Sequence, residues 1–170
     1  PQVVRDYLKE AIKLILTTDE DTVIRFIEDY RIKFNSFSPE EIAFPRGVNG
    51  LRKYIDRTNI YAKSTPIAVK GALIYNYYLH ENGLEKKYHK INEGDKIKFI
   101  YLKKPNPIGG QFGTDQVLSF PAEIPKEFGL DEFFDYDKQF EKAFLDPLKN
   151  ILNSINWSYE KKSTLEGLFI

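Results

Sequence analysis

The chain has 170 residues, 42% of them hydrophobic and 15% aromatic, with 25 basic and 25 acidic side chains and neither Cys nor Met. That length suits one domain, or one domain with an appendage, and burial of roughly 70% of the unfolded surface argues against disorder. The lack of Cys excludes a disulfide framework, thiolate zinc sites and a thiol nucleophile. No apolar run reaches the ~20 residues of a membrane span, and the first residues do not read as a signal peptide, so no membrane partner is expected. A chain that opens on Pro1 rather than Met is expected to be a fragment or excised domain with an upstream partner.

The zero net charge conceals a division. Residues 46 to 104 carry 13 basic and 5 acidic side chains, whereas the rest carries 12 and 20. A neutral chain with a basic central block can bind a polyanion through one face. The alternative is a solvated surface with chance clustering.

Val3, Val4, Tyr7, Leu8, Ala11, Ile12 and Ile15 recur at helical spacing, which predicts an amphipathic first helix with Pro1 in its first turn. Thr18 and Asp21 resemble a capping box opening a second helix through Phe34. Residues 35 to 50, with two Pro and two Gly, read as a loop. Thr65-Pro66 reads as a cap with Pro at the first helical position. Val69, Ala72, Leu73 and Tyr77 would form the apolar side of that helix, and Asn82-Gly83 would end it. Gly71 inside it costs about 1 kcal/mol against Ala, so a close backbone approach, to another helix or to a ligand, is expected there.

Asp95 to Leu102 alternates as a half-buried strand does, with Lys96 and Lys98 on one face and Ile97, Phe99 and Tyr101 on the other. Lys103 to Thr114 reads as a loop, and Gly109-Gly110 with Gly113 as its hairpin turn. Gln116 to Phe120 reads as the return strand. The last helix is expected from about Asp131 through Leu152, kinked or restarted at Pro147. Helices, a strand pair and a helix in that order indicate an α+β fold, mostly helical, with a small antiparallel sheet inserted between helices.

Familiar catalytic patterns are missing. The only His residues, His80 and His89, lie nine apart and outside any nucleophile elbow or zinc-helix spacing. Neither phosphate-loop pattern occurs. Asp19, Glu20 and Asp21, and the run Asp131, Glu132, Asp135 and Asp137, read as helix-start charge. No metal site is expected.

Basic residues interleaved with Gly and an aromatic ring do stand out. Arg46-Gly47-Val48-Asn49-Gly50-Leu51-Arg52-Lys53-Tyr54 is one such block, Lys63 precedes the Thr65 cap, and Lys70 lies one turn inside that helix. A helix N-terminus with lysines beside it favours phosphate, and glycines permit close backbone approach to a polyanion. Leu168-Phe169-Ile170 is unusual in turn, because chain ends are mostly polar. It suits either a docking peptide or a turn folded onto the chain's own core.

At this point the chain resembles the C-terminal thumb domain of the replicative family B DNA polymerases of myovirus-type bacteriophages. The resemblance runs from Pro1-Gln-Val-Val-Arg-Asp-Tyr-Leu-Lys-Glu10 through Phe44-Pro45-Arg46-Gly47-Val48, Lys53-Tyr54, Lys63-Ser-Thr-Pro66, and Lys70-Gly71-Ala72-Leu73-Ile74-Tyr75-Asn76. Gly94-Asp-Lys96, Asn106-Pro107, Phe120-Pro121 and Tyr159-Glu160-Lys161-Lys162-Ser163 continue it. It implies a thumb domain over residues 1–158 and a sliding-clamp-binding tail over 159–170. Such a thumb grips primer–template duplex from the minor-groove side, mostly through phosphates and on any sequence. By this resemblance Arg46, Lys53, Tyr54, Lys63 and Lys70 contact DNA, and Leu165, Leu168 and Phe169 anchor the tail on the clamp. Gly167, and a tail shorter than the family form, depart from the pattern.

The implied partners are primer–template DNA, the palm and exonuclease domains of a parent polymerase and a sliding clamp, in the cytoplasm of an infected bacterium. The chain alone would be non-catalytic and without cofactor; magnesium and dNTPs belong to the parent's palm. Three alternatives stand beside this reading. They are the C-terminal subunit of a naturally split phage polymerase, a free-standing α+β nucleic-acid-binding adaptor, and a small metal enzyme using the acidic run at 131–137.

Overall fold

The structure is a computed structural model that describes residues 1–55, 64–108 and 116–159. The chain divides into two units, one made of Pro1–Ile42 with the chain from Tyr136 on, the other of Ala43–Asp135. The predicted α+β class holds: the first unit is helical, and the second carries a three-stranded antiparallel sheet.

In the first unit, α1 (Gln2–Thr17) and α2 (Glu20–Phe34) form as the periodicity predicts, α1 burying Val4, Ala11 and Ile15. The cap between them differs. Asp19, not Thr18, is the N-cap, and its carboxylate accepts from the Thr22 amide at 2.9 Å. The Thr18 hydroxyl instead donates back to the Leu14 carbonyl at the end of α1. The Thr22 bonds hold the Asp19 carboxyl below its usual range. A short helix, α3 (Pro39–Ile42), follows; Ser38 and Glu41 close its first turn reciprocally.

The last helical stretch starts later than expected, at Tyr136, as α5 (Tyr136–Phe140). It passes through a π-helical turn at Glu141–Leu145 and resumes as α6 (Asp146–Ser154). Pro147 explains the turn. Its ring would clash with the carbonyl of residue 143 and it brings no N–H, so one wider turn accommodates it inside the helix.

Tyr30 centres the core of this unit. Its ring stacks on Tyr7 at 3.8 Å and meets Phe144 edge-on at 4.7 Å, while its hydroxyl donates to the Val3 carbonyl. Phe34 packs edge-on against Phe140 at 5.3 Å, and the fully buried Gln139 donates to the Ile42 carbonyl. Offset and edge-on rings add about 1 kcal/mol each beyond area burial, so this cluster fastens α2 to α5.

In the second unit, β1 (Phe44–Gly47), β2 (Lys96–Tyr101) and β3 (Val117–Phe120) form a sheet in that order. β1 is a correction, as α3 is, since residues 35–50 read as loop. It pairs with β2 from Phe44 opposite Phe99 to Gly47 opposite Lys96. Pro45 is tolerated because β1 is an edge strand, where a missing N–H need not break a ladder. The β2–β3 pairing runs from Lys98 opposite Phe120 to Tyr101 opposite Val117. The expected turn at Gly109, Gly110 and Gly113 lies outside the described residues.

Helix α4 (Ile67–Glu81) packs on β3, with Pro66 at the N-cap rather than the first helical position. It is buried on more than the one side predicted: Ala68, Ile74, Tyr75, Tyr78 and Leu79 are inside as well, and Tyr77 is only half-buried. Gly71 makes the close approach expected of it, but to a strand. A Cβ there would stand 2.5 Å from Ser119 Oγ and 2.6 Å from its amide nitrogen. Ser119, fully buried, donates to the Ala68 carbonyl at 2.8 Å.

The segment after α4 is fastened to it at two points. Tyr75 Oη donates to the His89 carbonyl, and burial pushes its phenol up to about 12. Asn76 holds both backbone groups of the buried Ile91, each at 2.9 Å. Farther out, Lys87 Nζ and Tyr88 Oη both donate to the Glu127 carboxylate.

Candidate nucleic-acid interface

Of the five predicted DNA contacts, Arg46, Lys53, Tyr54 and Lys70 fall in the second unit, while Lys63 lies outside the described residues. Arg46 is exposed on β1, its guanidinium 5.7 Å from the Phe99 ring centre. Lys53 and Tyr54 sit on a single 3₁₀ turn, Leu51–Tyr54, with the Lys53 ammonium 5.3 Å from the Tyr54 ring centre. Lys70, half-buried, lies in the first turn of α4, where its amide bonds the Pro66 carbonyl. Three of the four thus come from β1 and the turn just after it, and the fourth from the helix against which that turn packs. The tail anchors Leu165, Leu168 and Phe169 lie outside the described residues.

The basic block does not form one patch. Directly paired residues of an antiparallel ladder share a face. Arg46, opposite Ile97, therefore lies on the face of Phe99 and Ser119, the face that α4 covers at β3. Lys96 and Lys98, opposite Gly47 and Pro45, lie on the other face. Sequence alternation predicts this split within β2 but not the place of Arg46, because β1 itself is not predicted.

The glycine-rich loop is occupied in a way the sequence does not reveal. The Glu93 carboxylate accepts from the Gly50 amide at 2.6 Å and from the Leu51 amide at 2.7 Å. Gly50 has φ +88°, a conformation that favours Gly. Val48 and the 94–95 turn exchange two further bonds, Gly94 N–H to the Val48 carbonyl and Val48 N–H to the Asp95 carbonyl. The backbone N–H groups of Val48, Gly50 and Leu51 in this loop are therefore held internally. The bonds from Gly50 and Leu51, and the charge of Arg52, hold the Glu93 carboxyl below its ordinary range. What this loop offers outward is side chains: Arg52, Lys53 and Tyr54.

Between this turn, α4 and the 85–93 segment lies a cleft of about 590 Å³, lined by Arg52, Tyr77, His80, Glu85, Lys90 and Glu93 among others. It carries both signs of charge, and His80 is already bonded to Glu85. That lining suits no single anion or cation. Among the described residues no three Asp, Glu or His side chains come together as a metal would need, so the acidic run at 131–137 builds no such site. No helix among them is long and apolar enough to cross a membrane.

Fold and surface together define the class: an α+β chain in which a helical unit is interrupted by a sheet-bearing unit, with cationic and aromatic side chains on an edge strand and the turn after it. No protein-family model matches the chain. Two curated proteins are similar to it. The DNA-directed DNA polymerase of Enterobacteria phage T4 is 28% identical over 173 aligned positions, and that of Escherichia phage RB69 is 26% identical over 174. Each match takes in 99% of this chain and only 18% of the polymerase. The chain thus resembles one region, less than a fifth, of these phage polymerases.

Proposed function

We propose that this chain is the thumb region of a phage DNA-directed DNA polymerase. It grips the primer–template duplex through phosphates from the minor-groove side. The observation that carries this reading is the likeness to two phage DNA polymerases along almost the whole chain. The exposed Arg46 and Lys53 and the half-buried Tyr54, with Lys70 on the helix against which their turn packs, support it chemically: they are side chains suited to phosphate, and none reads a base edge by necessity. Lys63 completes the set. Residues 1–158 form the thumb and 159–170 a tail whose Leu165, Leu168 and Phe169 tether the enzyme to a sliding clamp.

The chain itself holds duplex and does no nucleotidyl transfer; that chemistry, with magnesium and dNTPs, belongs to a palm domain, next to an exonuclease domain, in the parent enzyme. The site of action is the cytoplasm of an infected bacterium. Gripping works by slowing dissociation, and a clamp tether raises the local concentration of enzyme at the primer end.

Each phosphate neutralised releases counterions, so about four or five contacts give a log–log salt slope near −4. The test is fluorescence anisotropy of a primer–template duplex across a salt series, comparing the chain with its Lys53→Ala, Lys63→Ala, Lys70→Ala triple variant. The expected result is sequence-blind, steeply salt-dependent binding that the variant loses. Equal binding by the variant would refute the contact set, and no binding at low salt would refute the grip by this chain alone. Tight binding unaffected by the variant would favour a free-standing adaptor.

A further inference from the structure

We propose that Glu93 is the positioning residue of the duplex grip: its carboxylate fixes the Gly50–Leu51 backbone and so sets where Arg52, Lys53 and Tyr54 meet phosphate. The inference rests on the thumb reading given above.

The geometry carries it. One carboxylate takes two consecutive backbone amides, at 2.6 and 2.7 Å, at the entry of the 3₁₀ turn that bears the cationic side chains. Within that turn the Lys53 amide bonds the Gly50 carbonyl at 3.0 Å, so the register of Lys53 is counted from the residue that Glu93 holds. Glu93 is itself held from both sides. Two residues before it, the buried Ile91 is clamped to α4 by Asn76. Directly after it, Gly94 and Asp95 bond Val48 at 2.7 and 2.9 Å. A rigid helix thereby fixes an exposed cationic turn through a carboxylate.

By charge alone Glu93 is unwelcome at this site. A negative charge beside a cationic turn lowers the attraction for a polyanion. On that ground alone, neutralising it tightens DNA binding. Positioning demands the opposite sign. Glu93→Gln keeps one acceptor oxygen and turns an amide group toward the other backbone N–H, freeing the turn; Glu93→Asp keeps the charge but shortens the reach.

The experiment is the same anisotropy salt series on the chain, on Glu93→Gln, on Glu93→Asp, and on Glu81→Gln, which removes an exposed charge of the same sign at the C-terminal end of α4. Circular dichroism confirms that each is folded at the assay temperature. The expected result is weaker binding by both Glu93 variants, about eightfold at 0.1 M salt for each phosphate no longer neutralised, with a slope shallower by about 0.9 per phosphate. Glu81→Gln binds as well as the parent or slightly better. Glu93→Asp decides the matter should Glu93→Gln fail to fold. Binding by the Glu93 variants that equals or exceeds that of Glu81→Gln would overturn the positioning role while leaving the duplex grip intact. Failure of the unaltered chain to bind at low salt would overturn both.

Discussion

Gly71→Ala puts the close approach of α4 to β3 to the test. The new methyl carbon would stand 2.5 Å from Ser119 Oγ, 2.6 Å from Ser119 N and 3.1 Å from the Leu118 carbonyl carbon, where real Cβ contacts essentially never fall below 3.0 Å. The hydroxyl can rotate away, but the backbone nitrogen cannot, so α4 and β3 must part. Overpacking of this kind costs about 1–3 kcal/mol. Losing the buried bond from Ser119 to the Ala68 carbonyl adds about 1 kcal/mol. Against this, Ala is favoured over Gly in a helix by about 1 kcal/mol.

The net expectation is a loss of about 2 kcal/mol, a fall of about 4–8 °C in Tm for a chain of this length. Far-UV circular dichroism in urea measures it as a lower midpoint at unchanged slope. Ser119→Ala in the same background should recover only part of the loss, since the contact with the amide nitrogen remains. A midpoint at or above that of the parent chain would mean helix propensity acts unopposed, and the packing of α4 on β3 described above would be wrong.

Asn76→Ala leaves the N–H and C=O of the buried Ile91 unpaired and should cost about 2 kcal/mol or more; an unchanged urea midpoint would contradict the clamp. Glu127 makes the prediction that depends on acid. Its bonds from Lys87 and Tyr88 lower its carboxyl to about 2 from an ordinary 4.5. A carboxyl depressed in the folded state adds stability that is complete above its unfolded value and fades as pH falls through the folded one. The stability gap between the parent chain and Glu127→Gln should therefore close between about pH 5 and pH 2. Urea midpoints at several pH values read it, and a gap constant down to about pH 2 would refute the pairing.

Sequence periodicity served well where structure is local. The stripe from Val4 to Ile15, the alternation from Lys96 to Tyr101 and the close approach at Gly71 are all legible, because each is a spacing within one element. What failed is non-local. Phe44-Pro45-Arg46-Gly47 contains two strand-averse residues and becomes a strand only because β2, some fifty residues on, pairs with it. The Thr18 cap fails because the preceding helix offers its hydroxyl a nearer carbonyl.

The candidate site shows the same divide. Composition singles out the basic and aromatic residues, but not which face of the sheet each takes, nor that the glycine-rich loop has its donors filled from residue 93. Glu93-Gly94-Asp95 looks like any acidic turn when its partners are more than forty residues away.

The nesting of one unit inside the other has a consequence for the order of events at synthesis. The inner unit is contiguous, Ala43–Asp135, so every strand and helix it needs emerges in one stretch. The outer one cannot close its aromatic cluster until Phe140 and Phe144 join Tyr30 and Phe34, more than a hundred residues after those were made. Closing so long a loop is entropically slow when the intervening chain is loose. A folded insert shortens the effective gap between residues 42 and 136. The sheet-bearing unit is thus also a spacer whose prior folding brings the two halves of the helical unit within reach of each other, and a ribosome delivers the pieces in that order.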